Sequence, residues 1–265
     1  MIKLRGALAV LLCALATACA PAAPPTTSPI PMPTSPPAST SDAPPTIAPT
    51  PTAGPTSDGI PYLANAEAPE PGRYRLTKAV LGAAFPQALV TVPAGWSSST
   101  WFVSLDRDGE AMVAVSLWNV AQVYGHPCDW AGTLFDPGPT ASDLASALSE
   151  RPLRNATTPV EVRLAGYAGM YLEWSVPTTI EFSQSGNPAP SEGCDADSGG
   201  TAFYSFTGRG DASNRYQQGP GQIDYLWILD IPGGRVVIDA YSMPGATDAE
   251  IAEMLEVVGS ITFEE

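Results

Sequence analysis

The sequence predicts an α+β fold over residues 59–265: an antiparallel β-sheet flanked by a few helices. Two observations carry this. Strand-like runs recur in pairs joined by Gly-containing turns, and connections that short can only link antiparallel neighbours. Only two segments combine a helical period with a capping residue at its start. Few helices and many hairpins define the class.

In chain order, Gly72 to Thr77 and Gln87 to Val92 read as extended, the second ending at Pro93-Ala94-Gly95-Trp96. Trp101 to Leu105 and Ala111 to Val120 flank Asp106-Arg107-Asp108-Gly109-Glu110, where Asp-Gly is a hairpin signal. Ser142 to Glu150 reads as a helix, with Thr140 as its cap, Asp143 three residues on, and Leu144 and Leu148 on one face. Val160 to Leu164 and Gly169 to Val176 flank a further Gly-containing turn. Gln222 to Ile231 and Arg235 to Tyr241 are joined by Pro232-Gly233-Gly234. The second helix spans Asp248 to Val258, opened by the capping box Thr247-x-x-Glu250. Its Ile251, Met254, Leu255 and Val258 form one apolar stripe. A last strand, Ser260 to Glu264, follows Gly259.

The run Val90-Thr91-Val92-Pro93-Ala94-Gly95-Trp96, the strand Gly166-Tyr167-Ala168-Gly169-Met170-Tyr171-Leu172-Glu173-Trp174 and the closing strand–strand–helix–strand resemble Mog1/PsbP-like domains. With Tyr124-Gly125-His126-Pro127-Cys128, they are also similar to exported lipoproteins of high-GC bacteria. The resemblance implies an antiparallel sheet covered by helices, used for binding and assembly more than for catalysis. The stretches around Cys128 and Cys194 depart from the core pattern, so no site there follows from it.

The N-terminus reads as an export signal over residues 1–18. Lys3 and Arg5 form its positive start, Gly6 to Leu15 its apolar core, and Ala16-Thr17-Ala18 precede Cys19. Small residues before Cys19 fit a lipobox, although Ala16 stands where that motif prefers Leu; they also fit ordinary signal peptidase. Cysteine parity favours lipidation of Cys19, because Cys13 leaves with the signal and Cys128 and Cys194 then remain as a pair. The alternative is a secreted protein with a spare thiol. Residues 19–58 are mostly Pro, Thr, Ser and Ala with two charges, Asp42 and the terminal Asp58, and no aromatic. Such a segment buries too little apolar surface to offset its ordering entropy and is expected to be a disordered tether.

The whole chain carries 27 acidic against 12 basic residues, a net charge of −15. That argues against nucleic acid, whose binding needs basic surface. Without Lys3 and Arg5 the exported part has 10 basic residues and a charge of −17. It would be repelled by an anionic membrane surface, so contact with the membrane rests on a lipid anchor. The expected location is the extracytoplasmic face of the cell membrane.

Candidate chemistry is sparse. Cys128 and Cys194 are expected to form a disulfide. The rival is a metal site built from His126, Cys128 and Cys194 with Asp129 or Asp195, but the spacing matches no zinc pattern. Asp195 to Gly200 lacks the third Asp and the distal Glu of a calcium loop and reads as solvated. No metal and no cofactor is therefore expected. His126 is the only histidine, and there is no G-x-S-x-G, phosphate loop, dinucleotide fingerprint or H-E-x-x-H. Trp130, beside Cys128 in a loop, and His126 are the candidate ligand contacts.

Together these features point to a displayed, non-catalytic domain that binds a small ligand or an envelope protein. The alternative is a carboxylate-based hydrolase of envelope glycans using Glu173 with Asp224 or Asp230, whose separation would decide the chemistry.

Overall fold

A computed structural model describes residues 59–180, 194–197, 200–209 and 214–264. The signal segment, Cys19 and the tether lie outside them. The first part of the chain forms β1 (Gly72–Arg75), the single-turn α1 (Lys78–Leu81), β2 (Gln87–Val92), β3 (Ser97–Ser98), β4 (Phe102–Arg107) and β5 (Glu110–Trp118). Next come β6 (Val120–Tyr124), β7 (Leu134–Phe135), α2 (Ala141–Ser149), β8 (Val160–Leu164) and β9 (Tyr167–Ser175). After the short pair β10 (Ala196–Asp197) and β11 (Gly200–Thr201) follow β12 (Tyr204–Gly208) and β13 (Asn214–Tyr216). The chain closes with β14 (Ile223–Ile231), β15 (Gly234–Ser242), α3 (Asp248–Ser260) and β16 (Thr262–Glu264).

The centre is a seven-stranded sheet in the order β3-β4-β5-β15-β14-β9-β8, with every pair antiparallel. Its hairpins follow from turn chemistry. Asp108 and Gly109 have φ of 55° and 84°, and Ala165 and Gly166 have 54° and 86°. Two successive left-handed residues match the twist of the strands they join.

The sheet is buried on both faces, and side-chain alternation sorts its residues. On β14, Trp227 and Leu229 face a core shared with α3 and the small sheet β1-β2-β16. Leu226 and Ile228 face the other way, into a core with Trp118, Trp174, Phe206 and the α2 residues Leu144 and Leu148. Both long helices start as their sequences require: the hydroxyls of Thr140 and Thr247 accept from the backbone of Asp143 and Glu250, whose carboxylates return the bond. Burial of Met254, Val257 and Val258 anchors α3. Close packing also explains Gly169, where an added Cβ would lie 2.0 Å from the Ile228 carbonyl oxygen on the neighbouring strand.

Three details differ from the sequence expectation. The helix of Asp248 runs through Gly259 to Ser260, because the buried Val257 and Val258 hold its last turn, at a cost of about 1 kcal/mol for the glycine. The run Ala111 to Val120 is two strands. At Asn119 the side-chain amide donates to the Leu81 carbonyl at 2.7 Å, and beyond it β6 leaves the central sheet to pair with β12 and β7. The resulting four-stranded sheet β13-β12-β6-β7 was not anticipated.

Candidate ligand-binding site

On the α2 side of the central sheet the apolar core gives way, toward one end, to a polar cluster and a cavity of about 390 Å³. Side-chain size makes the cavity. The floor is built from Ser104, Ala111, Ala114 and Ser116, and larger groups rise around it: Trp101, Phe102 and Tyr241 from the sheet, Arg215 and Tyr216 from β13. The register of β4 on β5 changes between Leu105, opposite Val113, and Asp106, opposite Ala111. The extra residue, Met112, is a β-bulge that turns Ala111 as well as Ala114 toward the cavity. Trp101 stands edge-on to both Phe102 and Trp118, with ring centroids 5.1 and 4.9 Å apart. Trp118 is held by its indole N–H, which donates to the Ser116 hydroxyl at 2.8 Å.

One wall is an ion-pair cluster. Arg215 Nη2 donates to Asp224 Oδ1 at 2.6 Å, its Nε donates to Asp239 Oδ2, and its Nη1 to the Tyr216 carbonyl. The guanidinium lies over the Tyr241 ring, 5.2 Å from its centroid. Gln222 adds a bond to Asp224 Oδ1 at 2.8 Å. Beside it, Arg154 is sandwiched between Trp174 and Phe203, 4.1 and 4.5 Å from their centroids, and donates to Ser205 and Gln217. All of these charges are buried.

Burial pushes the Asp224 carboxyl up to about 6; attraction to Arg215 opposes the rise and the Asp239 charge adds to it. Burial also lowers Arg154 to about 9. For Arg215, burial is outweighed by Asp239 and Asp224, which hold it charged above its ordinary value. Asp224 Oδ2 and Asp239 Oδ1 have no hydrogen-bond partner among the described residues. An isolated cluster of this kind gains little stability over apolar packing, so its presence at a cavity wall points to a task.

The residues singled out from the sequence fall elsewhere. Cys128 and Cys194 lie at disulfide distance, their Cα atoms 4.2 Å apart, packed among Val176 and Phe203. His126 Nδ1 accepts from the backbone N–H groups of Cys128 and Asp129, so the ring shapes that turn. Asp195 Oδ2 accepts from the backbone N–H of Ala131, which ties the two cysteine loops together. Trp130 packs edge-on against Tyr124 and Tyr204 and is not part of the cavity lining. Tyr204 in turn meets Tyr216 at a centroid distance of 6.5 Å, so an aromatic row runs from the cysteine loop to the cavity mouth. Among the described residues, no three His, Cys, Asp or Glu side chains gather as metal ligands.

The carboxylates considered for glycan cleavage do not meet. Glu173 is registered with Tyr225 and accepts from the Tyr171 hydroxyl at 2.6 Å on the α3 face of the sheet. Asp224 and Asp230, two strand positions in phase with Leu226, point to the α2 face. Asp230 accepts the backbone N–H of Ala141 at 2.8 Å, at the start of α2.

Sequence reasoning missed Trp101, Phe102, Asp106 and Arg215 as site residues. Two signals were present: the small residues Ala114 and Ser116 alternating with Val113, Val115 and Leu117, and the charged Asp239 inside the apolar run Val236 to Ala240. No helix among the described residues is long and apolar enough to cross a membrane. Compared with models of known protein families and with curated proteins, the chain matches none.

Proposed function

We propose that the chain is an exported lipoprotein, held at the extracytoplasmic face of a bacterial cell membrane through Cys19, whose domain binds a ligand without transforming it. The observation that carries the binding half is the cavity on the central sheet, with aromatic walls and hydrogen-bonding groups that the fold leaves uncommitted. Small-molecule sites have this composition. An antiparallel sheet with helices on its faces, closed by the strand–strand–helix–strand of β14, β15, α3 and β16, supports the Mog1/PsbP-like resemblance. The separation of Glu173 from Asp224 and Asp230 by the thickness of the sheet weighs against the glycan hydrolase.

Two measurements test this. Cys19→Ala is expected to move the protein from the membrane fraction to the medium; retention in the membrane fraction contradicts the anchor. Calorimetric screening of the domain from Gly59 against envelope extracts is expected to find saturable binding that Trp101→Ala weakens at least tenfold. Turnover of a glycan abolished by a single carboxylate change would replace this reading with the hydrolase.

A further inference from the structure

Resting on that reading of the cavity as a binding site, we propose that its ligand is an organic cation with an apolar body. The lining separates the charge classes. Its one cation, Arg215, gives one bond from each guanidinium nitrogen to Asp239, to Asp224 and to the Tyr216 carbonyl, and the two carboxylates outweigh its single charge, so the cluster has no net positive charge to offer an anion. The one carboxylate among the lining residues, Asp106, is exposed and makes no hydrogen bond or ion pair among the described residues.

The hairpin tip that carries Asp106 strengthens the bias. Asp106, Asp108 and Glu110 surround one basic residue, Arg107, and that residue is turned away into an ion pair with Glu250 on α3. Asp106 therefore faces the cavity with Ala111, while Arg107 and its cross-strand partner Glu110 belong to the other face, on a chain whose net charge is −15. A concave site under a field of one sign concentrates ligands of the opposite sign.

The interior suits the body of such a ligand. Trp101 and Phe102 supply aromatic surface, the kind that holds alkylammonium groups. Ser104 is 3 % exposed and lines the floor. Its hydroxyl adds a polar point to the floor. An anion would meet Asp106 unopposed, and a purely apolar ligand would strip water from Asp106 and return no interaction.

Three isosteric probes test the charge class by calorimetry on the domain from Gly59: choline, 3,3-dimethylbutanol and 3,3-dimethylbutanoate. Choline is expected to bind at least tenfold more tightly than the neutral alcohol, to weaken as salt rises, and the carboxylate to show no binding. Asp106→Asn, at an exposed position that leaves packing intact, is expected to bring choline down to the affinity of the alcohol. Equal binding of choline and the alcohol, or an unchanged choline preference in Asp106→Asn, overturns the cation assignment and leaves the cavity as a site for neutral ligands. Preference for the carboxylate overturns the assignment outright. Saturable binding from envelope extract with no response to any of the three probes overturns the assignment while the binding reading stands. No binding from any source overturns both.

Discussion

Arg215 Nη2 and Asp224 Oδ1 lie 2.6 Å apart, and that contact joins the four-stranded sheet to the central one. Both side chains are almost fully excluded from solvent. Arg215→Met would leave two buried carboxylates without their cation. Loss of about 3–5 kcal/mol in urea unfolding is expected, because removing one partner of a buried pair strands the other charge. Replacing Arg107, whose partner Glu250 sits at the surface, is expected to cost far less.

The same cluster sets a pH dependence. Asp224 titrates at about 6 in the folded protein, above the ordinary value of 3.8. Between those values the folded state holds a proton that the unfolded state has released, so stability falls as pH rises through the window from 3.8 to about 6. Asp224→Asn is expected to flatten that slope in denaturant unfolding measured across this range. An unchanged slope would place the titrating group elsewhere.

Reduction of the Cys128–Cys194 pair is expected to lower stability. The bond spans 66 residues, and the chain-entropy model assigns a loop of that size about 4 kcal/mol. Intact mass should rise by two hydrogens on reduction, and the reduced form should unfold at lower urea with a steeper slope, because the unfolded chain without its cross-link exposes more surface.

Gly169→Ala should be costly at a position that looks permissive. The methyl group would collide with the Ile228 carbonyl across the β9–β14 ladder. A loss of about 2 kcal/mol is expected from overpacking. Gly166→Ala, where nothing lies within 4 Å, tests only the left-handed backbone of the turn.

What could be read in the sequence was local. The Asp108-Gly109 and Gly166 turns, the Thr140 and Thr247 caps and the cysteine pair all state their structure through a few neighbouring residues. What could not be read was assembled from afar. The cavity draws its floor from β4 and β5, its wall from β13 and its edge from β15. No stretch of sequence shows that Arg215 will find Asp239. The break at Asn119 was hidden for the same reason: its amide has its partner at Leu81, 38 residues earlier. Trp130 drew notice by its neighbours in sequence, while Trp101, on an ordinary strand edge, lines the cavity.

The placement of β15 between β5 and β14 has a kinetic consequence. Ser116 on β5 meets Asp239 on β15 across 123 residues of chain. The β4–β5 hairpin can form early, yet it has no sheet to join until the final quarter of the polypeptide is present. Nucleation must then close that long loop, which makes folding slow compared with the speed of its hairpins. A chain of this topology cannot complete its central sheet until its last strands are present.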